Sequence, residues 1–492
     1  MKKKEVILII TVLIFSSILV YTPHYTYPFP VHIDEWHHIT EAIKLKNQEY
    51  NLGWNSTEFG FHFILMIMSY FFDLVLFYKF LPVIWIILTS LILFIIVYKK
   101  TNNNFYISLF SIIFLASLKS NVNLLGIWFF TPLTFAIPFI FLYIYFYTEG
   151  IKKQNKKYII ISLIIMIFLI PVHAISLTFS IPFLTIYTLI NYKFLKKQIK
   201  FFALFLIIPI IGLFFYSITF KISLIKSLFE IFNLLLFKHG WGVLELNNSL
   251  LEVYSFTGYL FAILGAVFII LIKEERKKHI LYLIWPLTLT IMIIIFKIFD
   301  ISFLSPYQRN LYYLAISLPF LSSLGLYYFI KLINKKIIEK IDAKEKSILF
   351  IKKITNILII IIVFFFVFRA YYKIPENTLL YKLIDYNDYY ALKYLLKYPK
   401  GVALSTPSIS EAIYPISNKY IVSGIYFYNP ERKEEVNNFF KKNQNCEYRN
   451  SLVKKYDVKY VISKNQSVNC NWSLIYNKTS INSSTFIYEI KE

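Results

Sequence analysis

A cluster of ionisable side chains follows the first apolar run of the chain. Asp34 and Glu35 are adjacent, and His32, His37 and His38 lie close to them in sequence. A carboxylate can accept the proton of an attacking hydroxyl, which is general base catalysis. Asp34 and His38 are also spaced to share one face of a helix, and both residue types bind metal ions. The stretch predicts a catalytic acidic pair, or a divalent-metal site at Asp34 and His38 with Mg or Mn favoured where carboxylates dominate.

The same residues also have a purely structural interpretation. An amphipathic stretch, EWHHITEAIKL, follows Asp34, so that Asp34 stands where a helix N-cap residue is expected. Glu35 then falls in the first turn, where the helix dipole favours a negative charge. An acidic pair that only caps an interfacial helix, beside histidines that are ordinary interfacial polar residues, therefore stays an open alternative.

The composition around this stretch is that of a membrane protein. The chain has 492 residues, of which 57% are hydrophobic and only 16% are charged. These values lie outside the range of soluble domains of this length. The formal net charge is +24, but the basic residues form short clusters between apolar runs instead of one basic face. We therefore interpret them as topology signals and predict no nucleic-acid partner.

Apolar runs long enough to approach or cross a bilayer recur along the chain. The lysine clusters all face the cytoplasm if two conditions hold. The N-terminus is cytoplasmic, and residues 61–78, which include Asp73, lie at the outer interface or dip into the membrane and return without crossing. We predict an α-helical multi-pass plasma-membrane protein with about eleven spans, near residues 5–22, 80–98, 105–119, 131–148, 157–173, 175–191, 201–220, 253–272, 280–298, 310–330 and 354–371.

An odd number of spans places the tail outside the cytoplasm. Helix-like YNDYYALKYLLKY and PERKEEVNNFFKKN alternate with strand-like GVALS, KYIVSG, VKYVISK and FIYEI. This alternation predicts a small α/β domain over residues 375–492. If that domain is exported, Cys446 and Cys470 could form a disulfide, and two free thiols are the alternative. We predict a transmembrane domain at 1–372, with an interfacial helix at 61–78 and exported loops at 23–60 and 221–252.

Several cations could bind an anionic substrate near the outer surface. Arg309, in the segment SPYQRN before a span, is the best candidate because its planar guanidinium matches phosphate oxygens. Its alternative role is to extend to the membrane interface. The other substrate-binding candidates share the same interfacial alternative, and they are His37, His38, His62, Lys238 and His239.

The order of these features resembles the GT-C-fold membrane glycosyltransferases of the protein O-mannosyltransferase and lipid A aminoarabinose-transferase type. The features are a basic N-terminus, one span, the loop HIDEWHHITEA, an apolar interfacial segment and a bundle interrupted by lysines. The resemblance implies that Asp34 is the catalytic carboxylate and that the donor is a sugar on a polyprenyl phosphate. The acceptor would be a protein, a lipid or a glycan. Related enzymes often carry a lysine at the start of the juxtamembrane helix, where this chain has Glu58 to His62.

The implied chemistry needs few groups. Asp34 would accept the proton of the acceptor hydroxyl while the oxygen attacks the anomeric carbon and inverts its configuration. Glu35 would orient the acceptor or share a divalent ion. Two other classes remain open: a transporter or flippase for a lipid-linked glycan, and a non-catalytic scaffold for surface glycan assembly. A transporter would place ionisable residues at mid-membrane in two related halves, and this sequence has no clear internal repeat.

Overall fold

The computed structural model describes residues 2–51, 58–120, 124–195, 199–219, 223–238, 250–340, 345–372, 381–425, 429–468, 470–479 and 483–490. The chain divides into two compact units. The first unit comprises Met1–Thr22 and Pro82–Leu379, and the second comprises Pro23–Leu81 and Leu380–Glu492. The second unit thus combines the first predicted exported loop with the tail.

Helices dominate the described residues. In chain order they are α1 (Lys3–Tyr21), α2 (Ile33–Lys46), α3 (Phe59–Met68), α4 (Leu74–Phe77), α5 (Leu81–Lys100), α6 (Phe105–Ala116), α7 (Pro132–Lys153), α8 (Lys156–His173), α9 (Ile175–Thr178), α10 (Ile181–Ile190), α11 (Tyr192–Leu195), α12 (Ile199–Thr219), α13 (Leu224–Leu234), α14 (Leu250–Val253), α15 (Phe256–Leu271), α16 (Lys273–His279), α17 (Leu281–Phe299), α18 (Tyr307–Lys340), α19 (Glu345–Tyr372), α20 (Tyr386–Tyr394), α21 (Pro407–Ser417), α22 (Pro430–Phe439) and α23 (Cys446–Lys455).

Six helical segments of the described chain are long and apolar enough to cross a bilayer. They are Lys3–His24, Leu74–Lys100, Pro132–Lys153, Lys156–His173, Leu281–Phe299 and Tyr307–Lys336. A seventh would be the pair α15 and α16, which is bent by 113°. The protein is therefore a membrane protein, but the predicted count of eleven spans is not confirmed. One reason is length, because several predicted runs form apolar helices of only 10–17 residues.

Two helices of the first unit pack backbone to backbone. A Cβ atom at Gly265 of α15 would lie 2.0 Å from the carbonyl oxygen of Leu321 in α18. A Cβ atom at Gly325 of α18 would lie 2.0 Å from the carbonyl oxygen of Phe261 in α15. Small residues of this kind allow membrane helices to approach closely. These two positions therefore require glycine.

The tail forms a small five-stranded sheet in the second unit. Its strands are β3 (Val402–Ser405), β4 (Tyr420–Ile421), β5 (Val458–Lys464), β6 (Ser473–Thr479) and β7 (Ser484–Glu489), in the spatial order β4-β3-β5-β7-β6. Strand β3 pairs in parallel with β4 and β5, whereas β7 pairs antiparallel with β5 and β6. Two further short strands, β1 (Leu236–Lys238) and β2 (Ile301–Phe303), pair in the first unit.

The tail contains elements that the sequence patterns do not predict. Helices α21 and α23 and strand β6 are absent from the predicted series, whereas the predicted segments correspond to α20, β3, β4, α22, β5 and β7. Cys446 and Cys470 are joined in a disulfide, as expected for an exported tail. Leu404, Val436, Phe439 and Val461 belong to the apolar core between the sheet and its helices.

Residues 61–78 do not form the single interfacial helix that the sequence predicts. Helix α3 ends at Met68, and α4 begins at Leu74. Asp73 caps α4, since one of its carboxylate oxygens accepts the N–H of Val75 at 3.1 Å. A carboxylate that caps a new helix explains the break within this apolar run.

Candidate functional site

Helix α2 begins earlier than the sequence suggests. Its N-cap is His32, so the prediction of Asp34 at that position is wrong. The Nδ1 atom of His32 accepts the N–H of Asp34 at 3.0 Å. The Oε2 atom of Glu35 accepts the N–H groups of Val31 at 2.8 Å and His32 at 3.1 Å. Glu35 thus closes a capping box and fixes the first turn of the helix.

The two acidic residues have different surroundings. Glu35 is completely buried, with 0% of its surface exposed. The side chain of Asp34 retains 29% exposure, and its Oδ1 atom lies 3.8 Å from His32 Nδ1. That nitrogen already accepts the N–H of Asp34, so it carries no proton and cannot donate to the carboxylate. Asp34 is therefore the member of the pair that solvent or a substrate can reach.

Three buried histidines meet one turn further along α2. His37 and His38 lie on α2 and His62 on α3, and one ring nitrogen from each lies within 4.8 Å of the others. His38 Nδ1 is 3.0 Å from His62 Nε2. The other nitrogen of His62, Nδ1, is 3.1 Å from the hydroxyl of Tyr50. The structure thus brings together three of the predicted site residues, although His62 is far from the other two in sequence.

His37 and His62 favour their neutral form. Burial lowers the pKa of His62 to about 3, and the positive charge of Lys44 acts in the same direction. Burial also lowers the pKa of His37, although the carboxylates of Glu41 and Asp34 oppose this shift. Neutral imidazoles have a lone pair that can accept a hydrogen bond or bind a metal ion.

A small cavity of about 150 Å³ lies in the second unit between α2 and the tail. It has polar and aromatic walls formed by His37, Thr40, Glu41, Lys44, Ser410, Glu411, Tyr414, Tyr420 and Ile421. Lys44 Nζ donates to Glu41 Oε1 at 2.8 Å, and Glu41 is buried. The wall of the cavity therefore includes an ion pair, Lys44 and Glu41, whose charges compensate each other beside His37.

The C-terminal end of α2 is fixed to the tail by polar contacts. Tyr414 of α21 donates its hydroxyl proton to Glu49 Oε2 at 2.6 Å, and Lys400 also donates to the Glu49 carboxylate. Asn47 Nδ2 lies 3.3 Å from Asn418 Oδ1. The helix that carries Asp34 is thus held at its other end by residues from the tail.

The remaining predicted residues lie in the first unit. Arg309 is in the first turn of α18, and its Nη1 atom donates to the carbonyl of Leu124 at 3.2 Å. Its Nε atom is buried and has no hydrogen-bond partner among the described residues. Lys238 ends strand β1, and His239 lies outside the described residues. Arg309 thus retains unused hydrogen-bonding capacity, as an anion-binding residue requires.

Sequence reasoning missed other side chains of this region. Glu41, Lys44 and Tyr50 were not candidates, yet they contact or line the histidine cluster and the cavity. Glu41 lies four residues after His37 on the same helix, and that spacing could have indicated it. No local pattern indicates Tyr50, because its partner His62 lies 12 residues later in the chain, on α3.

No protein-family model and no curated protein matches the chain. Solved membrane glycosyltransferases do match in structure. ArnT from Cupriavidus metallidurans, in the apo state, matches with a TM-score of 0.55 and 10% identity over 97% of each chain. The oligosaccharyltransferase AglB from Archaeoglobus fulgidus, with an inhibitory peptide and a dolichol-phosphate, matches with a TM-score of 0.50 and 12% identity over 93% of this chain and 69% of AglB.

A second AglB structure, in complex with Zn and sulfate, matches with a TM-score of 0.51 and 11% identity over 92% of this chain and 68% of AglB. Both neighbours are GT-C-fold membrane glycosyltransferases. Identities this low establish a shared fold alone. The resemblance that the sequence suggested is therefore confirmed at the level of the fold, and this chain is similar in fold to the GT-C membrane glycosyltransferases.

Proposed function

We propose that this protein is a membrane glycosyltransferase. It moves a sugar from a polyprenyl-phosphate donor to an acceptor hydroxyl at the outer face of the plasma membrane, with inversion and with Asp34 as the base. The N-terminus is then cytoplasmic and the tail extracytoplasmic. The observation that carries the proposal is the partly exposed Asp34 carboxylate in the first turn of α2, in a chain with the GT-C fold.

The reaction is a single displacement. The acceptor oxygen attacks the anomeric carbon, and its proton passes to the Asp34 carboxylate. The bond between the anomeric carbon and the phosphate oxygen breaks, and the polyprenyl phosphate leaves with the electron pair. A phosphate monoester has a second pKa of about 6, so the leaving group needs no general acid. One exposed carboxylate therefore suffices.

Glu35 acts as a positioning residue in this proposal. Its buried carboxylate accepts two backbone N–H groups at the start of α2, which fixes the turn that carries Asp34. The sequence suggested that Glu35 orients the acceptor or shares a metal ion. The capping box favours an indirect role, because it already engages one oxygen of the Glu35 carboxylate twice.

The substrate phosphate requires fixed positive charge. Arg309 is our candidate, because its Nε atom is buried without a hydrogen-bond partner among the described residues. Lys238 and His239 are secondary candidates. A phosphate-binding arginine is consistent with the lipid-linked donor, since the AglB structure contains a dolichol-phosphate.

The acceptor side of the site is proposed at the cavity beside α2. His37 lines this cavity, and both Glu41 and Asp34 act electrostatically on His37, which relates the cavity to the base. Its tyrosines and carboxylates can stack on and hydrogen-bond to a hydroxylated acceptor. The acceptor class, whether protein, lipid or glycan, is open in this proposal.

A divalent ion at Asp34 and His38, either Mg or Mn, remains a prediction from the sequence. The structure groups His38 with nitrogen ligands, and the metal-binding group found among the described residues does not include Asp34. Such an ion would balance the charge of the donor phosphate. The displacement described above does not depend on it.

The test is the variant Asp34→Asn, expressed in a host that lacks the endogenous protein. We expect normal membrane levels and loss of the surface glycan, because an amide cannot accept the proton. The matched control is Asp457→Asn, at a turn residue with φ 48°, a conformation that asparagine adopts readily. Normal glycan with Asp34→Asn would remove Asp34 from the mechanism and would favour a transporter or a scaffold.

A further inference from the structure

The histidine cluster has the properties of a metal site. We infer that His37, His38 and His62 bind a transition-metal ion of the zinc class, which joins α2 to α3. The inference concerns ion binding and does not depend on the proposed transfer reaction. It differs from the site predicted at Asp34 and His38, because all three donors are imidazoles.

The distances are close to those that such an ion requires. Zinc binds imidazole nitrogen at about 2.0–2.1 Å, so two ligands of a tetrahedral ion lie roughly 3.3 Å apart. His38 Nδ1 and His62 Nε2 are 3.0 Å apart, and all three donor nitrogens lie within 4.8 Å of one another. The widest spacing that this bound allows exceeds the tetrahedral value by about 1.5 Å, a gap that small side-chain rotations on ion binding would close.

The second nitrogen of His62 is already engaged. Its Nδ1 atom is 3.1 Å from the Tyr50 hydroxyl. When Nδ1–H donates to that hydroxyl, Nε2 is left with a lone pair that points toward His38. Metal-bound histidines almost always have such an outer hydrogen bond, which fixes the tautomer and the ring orientation.

A carboxylate lies at the edge of the cluster. Glu58 Oε2 is 3.8 Å from His38 Nδ1, and the Glu58 side chain is 28% exposed. It supplies negative charge beside the ion and is within reach of a fourth coordination position. Three imidazoles with a carboxylate or a water form a common zinc environment.

The donor type selects the ion. Imidazole nitrogen suits zinc, copper, iron and nickel, whereas magnesium and calcium prefer oxygen ligands. The three rings are at most 5% exposed, so the ion would be shielded from bulk water. The competing explanation is a set of histidines that only hydrogen-bond to one another and to Tyr50, and that explanation predicts no bound metal.

The experiment measures metal directly. The full-length protein, purified in detergent with a tag that contains no histidine, is stripped with chelator, given one equivalent of Zn²⁺ and desalted, and its metal content is measured by mass spectrometry. We expect about one zinc per chain for the wild type and less than about a tenth for His38→Gln and His62→Gln. The control His279→Gln removes another buried histidine, in the first unit, and should retain full occupancy.

Two further variants separate binding from folding and from activity. Tyr50→Phe leaves the three ligands in place and should weaken zinc affinity by about 10- to 100-fold. Asp34→Asn should keep full occupancy even where transfer is lost. A wild type without zinc, or full occupancy in His62→Gln, would overturn the metal site without affecting the proposed transferase.

Discussion

The two compact units are stabilised internally in different ways. In the first unit, α15 and α18 fit together by shape, because glycines allow each backbone to touch the other. In the second unit, α2 is fixed atom by atom: Glu35 closes its N-terminus, and Glu49 hydrogen-bonds to Tyr414 near its C-terminal end. Helix packing sets the relative orientation of the helix axes, whereas hydrogen bonds to charged groups fix the positions of individual atoms. The candidate base lies where the second kind of contact prevails.

The largest effect is expected at the base itself. Asp34→Asn should lower the transfer rate by roughly 10²- to 10⁴-fold, the usual contribution of a general base, while thermal stability in detergent stays unchanged. The measurement is turnover with a synthetic polyprenyl-phosphate sugar and a purified membrane acceptor fraction. Equal rates in Asp34→Asn and wild type would show that the Asp34 carboxylate is not the catalytic base.

The next effect is expected in the first unit. Gly265→Val would place a side chain 2.0 Å from the Leu321 carbonyl oxygen, so α15 and α18 must separate. Overpacking of this kind costs about 1–3 kcal/mol or more, and we expect a clearly lower melting temperature. The control is Gly212→Ala in α12, because nothing lies within 4 Å of an added Cβ atom there. Similar melting temperatures for both variants would argue against backbone contact at Gly265.

A smaller effect is expected when the capping box is opened. Glu35→Ala removes the acceptor of two buried backbone N–H groups and should lower the free energy of unfolding by about 1–2 kcal/mol. Its thermal shift is compared with that of Glu434→Ala, which changes an exposed residue of α22. If Glu35→Ala reduced transfer without any loss of stability, Glu35 would act on the substrate directly.

The contact between α20 and the segment before α4 should contribute less. Tyr389 donates its hydroxyl proton to Asp73 Oδ2 at 2.6 Å. Tyr389→Phe keeps the ring and removes that bond, and we expect a loss of about 1 kcal/mol in chemical denaturation. Tyr390→Phe alters the neighbouring, exposed tyrosine and should have no effect. Equal losses in both variants would mean that this bond does not stabilise the second unit.

The smallest effect concerns pH. Burial opposes ionisation of Glu49, but hydrogen bonds from Lys400, Tyr414 and Tyr420 hold the pKa of Glu49 below its ordinary value of 4.5. A depressed carboxyl pKa adds stability above the unfolded value, and that stability is lost as the pH falls through the folded value. Glu49→Gln should therefore flatten the decline of the melting temperature below about pH 4.5 relative to wild type. Parallel curves would exclude this contribution.

The apolar helices could be predicted from the sequence, because each depends on a local run of apolar residues. Each predicted span overlaps a helix, because a long apolar run has few alternatives in a membrane. The count of eleven spans is not confirmed, because some predicted runs form apolar helices that are too short for a span, as in Ile175–Ile190. The break within residues 61–78 could not be predicted either, since the capping role of Asp73 depends on hydrogen bonds that hydropathy does not register.

The candidate site could be predicted only in part. The acidic pair was visible as adjacent residues, but adjacency did not reveal that Glu35 is buried in a cap while Asp34 is partly exposed. His62 became a partner of His38 only through the packing of α3 on α2. Long-range contacts of this kind depend on the three-dimensional path of the chain, which a single sequence does not display.

The attachment of α2 to the tail has a consequence for biosynthesis. Glu49 leaves the ribosome early, whereas Lys400 and Tyr414 are made more than 350 residues later. During translation of the intervening helices, the helix bearing Asp34 lacks these partners. A nascent chain, or a product truncated before α20, would thus carry its acidic residue on a helix that lacks its contacts with the tail, so full activity should arise only after the last strands have been released and have folded.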